Sequence, residues 1–144
     1  MNLIDANLLL YAYDESAEQH DPARRWLEQQ FAGEELIALS WQSITAFVRI
    51  STSARAYLFP LTIREATEIA SEWLSRDTLI VLMPTARHWE IFKDLIEQGQ
   101  ASGPLVMDAH MAALAIEHGA TLCTTDRDFA RFRRIRLHNP LPQR

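Results

Sequence analysis

The 144 residues contain one cysteine, Cys123, and one lysine, Lys93. A lone thiol excludes an intramolecular disulfide and a cysteine-rich zinc site, and it suits a reducing, cytoplasmic setting. No apolar run is long enough to span a bilayer. The apolar Leu8-Leu9-Leu10 follows Asp5 and lacks a basic lead-in, so it does not read as a signal peptide. Repeats, low-complexity tracts and linkers are also missing, and we read residues 1–144 as a single domain. Acid exceeds base to a net charge of −5, which argues against a passive nucleic-acid coat. It leaves room for a nuclease, because a metal bound in an acidic pocket reverses the local field. With so little lysine, the positive charge is arginine, whose planar fork matches phosphate oxygens.

What the chain does have is an alternation of short apolar runs with amphipathic ones. Met1–Ile4 reads as a strand and Ala6–Tyr13 as a helix capped by Asp5. A helix over 22–31 follows, with Ala23, Trp26, Leu27 and Phe31 as its apolar stripe and Pro22 in its first turn. A strand is expected over 35–39, then a helix capped by Ser40 or Ser43 and running to about Thr52, then a loop over 51–60. Thr62-Ile63-Arg64-Glu65 fits a capping box and opens a helix to about Ser75, with Ile63, Ala66, Ile69, Ala70 and Trp73 as its stripe. The unbroken apolar run Leu79–Met83 predicts a strand covered on both faces. A helix over 86–98 turns Trp89, Phe92 and Ile96 inward. The segment 105–118 is apolar on most sides and reads as a central helix stopped by Gly119. A strand over 121–124, a short helix near 128–132 and a strand around 135–137 complete the chain. This order predicts an α/β fold with a central parallel sheet between two helical layers. The two helices between Leu39 and Leu79 form a helical hairpin beside the sheet.

Aspartates stand where apolar runs pass into helices: Leu3-Ile4-Asp5-Ala6-Asn7, Val106-Met107-Asp108-Ala109-His110 and Thr124-Thr125-Asp126-Arg127-Asp128-Phe129. Each alone suits a helix N-cap. Together, at the carboxyl ends of parallel strands, they are expected to converge where such sheets bind ligands. Converging carboxylates repel unless a cation lies between them, and hard oxygen donors suit Mg²⁺ or Mn²⁺.

The same three segments, in this order and spanning nearly the whole chain, resemble the motifs of PIN domains, and most of all the VapC toxins of bacterial toxin–antitoxin pairs. The resemblance implies a PIN-like α/β/α fold and a metal-dependent endoribonuclease that leaves a 5′-phosphate and a 3′-hydroxyl. It implies catalytic roles for Asp5, Asp108, Asp126 and Asp128. Asp5, Asp108 and Asp126 would hold the metal, and Asp128 would be a ligand or an orienting group. Asn7 and Thr125 would support the ligands through hydrogen bonds, and His110, with no further His or Cys nearby for a zinc site, reads as a polar supporting group. It also implies an RNA substrate, a cognate antitoxin and a homodimer, with apolar helix residues near Tyr11, Trp26 and Phe59 available for contact. One departure stands out. Where such toxins carry a glutamate after the second strand, this chain reads Ser43-Ile44-Thr45-Ala46-Phe47-Val48-Arg49-Ile50, with Phe47 at the expected position. The alternative is therefore a weakly active or inactive PIN-like module that binds an antitoxin. A phosphatase of the haloacid-dehalogenase type fits less well, since it needs Asp-x-Asp and a catalytic lysine where this chain has Asp5-Ala6-Asn7 and only Lys93.

Arg49 is a candidate RNA contact, and so is the basic run Arg127, Arg131, Arg133, Arg134 and Arg136, although charge runs are commonly solvated faces. His20, His88, His118 and His138 show no metal-ligand spacing. Trp41 and Tyr57 flank the hairpin as possible stacking partners for bases.

Overall fold

A computed structural model describes residues 1–142. Its strands are β1 (Asn2–Ile4), β2 (Ile37–Leu39), β3 (Leu79–Val81), β4 (Thr121–Cys123) and β5 (Arg136–His138), and its helices are α1 (Ala6–Tyr13), α2 (His20–Ala32), α3 (Trp41–Ser51), α4 (Ile63–Leu74), α5 (His88–Gly99) and α6 (Leu105–Glu117). A 3-10 turn spans Arg127–Arg131. All strand pairs are parallel, in the order β3-β2-β1-β4-β5.

Side chains alternate across the short strands and build two cores. Leu3, Ala38 and Leu122 face a layer formed by α5, α6 and the 3-10 turn. Ile4, Ile37, Leu39 and Cys123 face a layer formed by α1, α2, α3 and α4. This is the expected three-layer architecture, with α3 and α4 as the hairpin. Helix starts are where the sequence was most explicit. Asp5 accepts from the Ala6 amide, Ser40 from Ser43, and Thr62 and Glu65 close a reciprocal capping box. Each such cap is worth about 1 kcal/mol. Gly119 ends α6 in the left-handed region at φ 64°, where a Cβ would be strained.

Two side chains expected to face inward do not, Ile63 at the start of α4, which is 73% exposed, and Trp89 of α5. The apolar run at Leu79–Met83 forms β3 at the sheet edge, and it is covered on both faces as expected, with Ile80 against one core and Leu79 and Val81 against the other. Its three residues are half-buried, and Met83 is 55% exposed. An apolar run reports hydrophobic surroundings but not sheet order. On α5 the inward residues are Ile91 and Leu95, with Phe92 and Ile96 beside them, whereas Trp89 is 65% exposed.

Candidate functional site

The carboxyl ends of β1 and β4 lie side by side, which brings residues 5 and 124–128 together across more than a hundred positions of sequence. The Asp5 amide continues the ladder by donating to the Cys123 carbonyl at 3.0 Å. One Asp5 carboxylate oxygen accepts from the Ala6 amide at 2.8 Å, and the other accepts from the Thr124 hydroxyl at 2.8 Å. That hydroxyl is the hub of the site. It also accepts from Asn7 Nδ2 at 3.0 Å and from the Asp126 amide at 3.0 Å. Asp126 in turn caps the 3-10 turn by accepting from the Asp128 amide at 2.9 Å. Capping and ligation are compatible here, because each capping bond uses one lone pair and leaves the others free.

Asp108 arrives differently from the expectation. It does not follow a strand. It stands in the first turn of α6, which is entered from the loop after α5. The aligned amides of that helix start favour negative charge. Ligand oxygens of Asp108, Asp126 and Asp128 lie within 4.8 Å of one another. Asp5 sits behind this trio, close enough that its charge is felt at Asp108. Burial raises the Asp5 carboxyl above its ordinary value, against the hydrogen bonds from Thr124 and Ala6. Burial and the charges of Asp126, Asp5 and Asp128 push Asp108 up to about 6. Such mutual repulsion is what a divalent cation relieves.

A neighbouring amide fits the same need. Gln42, in the first turn of α3, donates to the Met107 carbonyl at 3.5 Å, one residue before Asp108. Its Oε1 is buried with no hydrogen-bond partner. A buried acceptor without a partner is costly, and hard cations take amide oxygens readily. The donor set of carboxylates fits Mg²⁺ or Mn²⁺, with the unpartnered Gln42 oxygen beside Asp108's neighbour Met107, and it lacks the nitrogen and sulfur ligands that zinc prefers.

Several sequence expectations are corrected at this site. Thr124, buried and central, holds Asp5, whereas among the described residues Thr125 is joined to the site through its backbone amide, which donates to Asn7 Oδ1 at 3.5 Å. The two residues differ by one step of strand alternation. The Thr-x-Asp spacing is itself a signal, since a threonine hydroxyl reaches the amide two residues on. His110 does not support the carboxylates. It shares a hydrogen bond of 2.9 Å between its Nδ1 and His88 Nε2 and packs edge-on to Phe92, on the α5 side of α6. Phe47 does not look into the acidic end either. It is fully buried, edge-on to Trp73 at 4.7 Å and to Tyr13 at 5.6 Å, so a glutamate there would sit in the apolar core. Among α3 side chains, Ser43 reaches Met111 of α6, and Gln42 reaches the backbone beside Asp108. Arg49 lies seven residues further, about two turns along the same face; it is exposed. Trp41 is half-exposed on the first turn of the same helix.

Comparison with known proteins gives a consistent picture. A PIN domain family profile matches residues 3–135. Ribonuclease VapC37 of Mycobacterium tuberculosis (strain ATCC 25618 / H37Rv) is 36% identical over 140 residues, covering 97% of each chain. Ribonuclease VapC33 of the same strain is 35% identical over 141 residues, covering 98% of this chain and 99% of that one. Among solved structures, M. tuberculosis VapC20, described as a sarcin-ricin loop cleaving toxin, superposes with a TM-score of 0.69 at 15% identity, covering 99% of this chain and 100% of that one. VapBC2 from Rickettsia felis, bound to a DNA fragment from their promoter, gives a TM-score of 0.67 at 22% identity, covering 96% of this chain and 97% of that one. At those identities the structural likeness speaks to the fold.

Proposed function

Because the chain belongs to the PIN domain family, we propose that the acidic end of its sheet is the catalytic centre of an endoribonuclease, the toxin of a type II toxin–antitoxin pair. The observation that carries this reading is the convergence of Asp108, Asp126 and Asp128 within 4.8 Å with no cationic side chain bonded to any of their carboxylates among the described residues. Asp108, Asp126 and Asp128 would hold Mg²⁺ or Mn²⁺, with Gln42 Oε1 and Asp5 at its margin. Bound there, the cation supplies the Lewis acidity that activates water and stabilises charge on the attacked phosphate.

The chain's own residues do the positioning. Thr124 fixes the rotamer of Asp5 and the backbone at Asp126 with one hydroxyl, and Asn7 fixes Thr124. The start of α6 offsets part of the repulsion at Asp108. Asp5 and Asp126 are held by backbone caps, so their carboxylates stay in place when the site is empty of substrate, and preorganisation of this kind is what electrostatic catalysis needs. Arg49, exposed on the Gln42 face of α3, is suited to an RNA phosphate.

The partner side rests on exposed apolar surface. Leu58 and Phe59, in the loop between α3 and α4, are 87% and 88% exposed, and Ile63 is 73% exposed. Clustered exposure of this kind marks an interaction surface, suited to an antitoxin or to the second subunit of a homodimer. A second reading, a module that binds an antitoxin without cutting RNA, draws on the same surface and on the absence of any carboxylate from α3.

The test is cleavage of a mixed single-stranded RNA pool by antitoxin-free protein with Mg²⁺, with Mn²⁺, with chelator, and in Asp126→Asn. Metal-dependent cutting that the variant loses supports the enzyme. A folded protein that cuts nothing yet binds its antitoxin supports the module.

A further inference from the structure

Beyond Asp128 the surface drops into a cleft of about 530 Å³ between the end of α5 and the 3-10 turn. Leu95, Gly99 and Phe132 contribute to its lining, and Gln98, Arg131 and Arg133 provide polar groups. The two walls approach closely because residue 99 has no side chain; a Cβ there would stand 3.0 Å from the Phe132 ring. Arg131 joins this cleft to the acidic end. Its Nε donates to the Asp128 carbonyl at 3.2 Å and its Nη1 to the Gly99 carbonyl at 3.0 Å. Its charge reaches Asp108.

The C-terminal arginines are not one uniform solvated face. Arg134 is paired with Asp94 at 3.4 Å, and Arg136 is bonded to the Gly119 carbonyl. Arg131 and Arg133, the two on the cleft, have no carboxylate partner among the described residues. In a chain where acidic residues outnumber basic ones by 19 to 14, this leaves two uncompensated guanidinium groups next to a cluster of carboxylates. A polyanion whose one phosphate is drawn to a metal there needs its next phosphates neutralised nearby, and guanidinium forks do that. The volume lies within the range of about 300–1,000 Å³ that takes one small ligand, the scale of a nucleotide or two and not of a duplex.

We propose that this cleft holds the single-stranded RNA segment adjoining the cut site, with Arg131 and Arg133 on its phosphates. The assignment rests on the endoribonuclease reading above. Gln98 and Gln100 line the cleft and offer amide groups to sugars or bases, while Leu95 and Phe132 are buried beneath it and close its floor.

The experiment measures binding of a fluorescein-labelled single-stranded RNA by anisotropy, in Asp108→Asn protein without added metal, over a salt series. Asp108→Asn blocks cutting during the titration. Arg133→Gln is the first variant, because its side chain makes no hydrogen bond or ion pair among the described residues and its loss leaves the fold intact. Arg131→Gln is the second, read beside a thermal melt because it also removes a partner of Gly99. Arg25→Gln, on α2 across the sheet, controls for net charge. The expected result is about a tenfold loss of affinity in Arg133→Gln and a salt slope smaller by about 0.7 for the phosphate contact removed, with Arg25→Gln unchanged. Equal affinity and slope in parent and Arg133→Gln overturns the cleft assignment, as does an equal loss in Arg25→Gln. If wild-type protein cuts RNA while the cleft variants bind like the parent, the cleft fails alone. If wild type neither binds nor cuts RNA, the cleft and the endoribonuclease reading fail together.

Discussion

Helix α6 carries two polar clusters on two sides, and they are built on opposite terms. On one side Asp108 meets Asp126 and Asp128, with Arg131 near enough for its charge to be felt but no ion pair to any of the three carboxylates among the described residues. On the other side, two residues along, His110 meets His88, which is bonded through its second ring nitrogen to Glu117. Glu117 also accepts from the Thr85 amide at 2.8 Å and the Thr85 hydroxyl at 2.7 Å. Burial works against the charge of Glu117, but the bonds from His88 and Thr85 outweigh it and hold the carboxyl below its ordinary value. Burial and the nearby His88 likewise hold the His110 imidazole below its ordinary range. The paired cluster spends its bonding capacity on itself and ties α5 to α6. The unpaired one keeps free lone pairs and unrelieved repulsion, which is chemistry waiting for a cation. Titratable residues in a buried group do not by themselves mark a functional site; groups left unsatisfied do.

The largest test of this contrast is substitution on each side of α6. Asp108→Asn should lower metal-dependent RNA cleavage by at least about 100-fold, more than typical losses from groups that only support a metal ligand. Retention of activity in that variant would remove Asp108 from the centre. Thr124→Val comes next. Losing the hydroxyl that holds Asp5 should weaken Mn²⁺ affinity by about 10- to 100-fold, and Thr124→Ser should restore it. A valine variant that binds Mn²⁺ like wild type would make Thr124 a purely structural residue. His110→Ala should act on the other side. It should leave cleavage within about threefold while costing about 1–3 kcal/mol of stability by leaving His88 Nε2 unpaired, read from urea unfolding. A large activity loss with unchanged stability would reverse the assignment of the two faces.

The smallest effect is on pH. Asp108 is raised from 3.8 to about 6 in the folded chain, so folding takes up a proton between those values. This contribution favours the fold below about pH 4, fades as pH rises through about 6, and is absent at neutral pH. In metal-free protein, melts compared at pH 5 and pH 7.5 should therefore show a pH-dependent component that Asp108→Asn removes. The same proton competes with the cation, so metal affinity should weaken on acidifying through about pH 6. An identical pH response in wild type and variant would contradict the repulsion that the account assigns to Asp108.

Local signals in the sequence carried furthest where one residue controls one backbone event. Asp5 before an apolar run marks the start of α1, and Thr62 with Glu65 marks the start of α4. The alternation of strand and helix runs was enough for the parallel three-layer fold. Sheet order was not legible, since the apolar run of β3 reads alike at an edge or in the centre. Within the site, Asp5, Asp126 and Asp128 could be placed from their junctions, and Asp108 was found through its motif although it enters from a loop. The finer assignments depend on which way a side chain points. Thr124 and Thr125 differ by one step of alternation, Asp108 and His110 by roughly half a helix circumference at 3.6 residues per turn, and Phe47 and Gln42 by which face of α3 they occupy. Such directions emerge from packing, where Phe47 fills space between Tyr13 and Trp73, and no spacing rule supplied them.

The most direct test is Mn²⁺ binding followed by electron paramagnetic resonance in protein stripped of metal, at neutral pH, with Asp108→Asn alongside. The account predicts saturable binding in the wild-type chain that the variant loses, with His110→Ala binding like wild type. Equal Mn²⁺ binding by wild type and Asp108→Asn, or none by a folded wild-type chain, would show that the converging carboxylates are helix caps and not a metal centre.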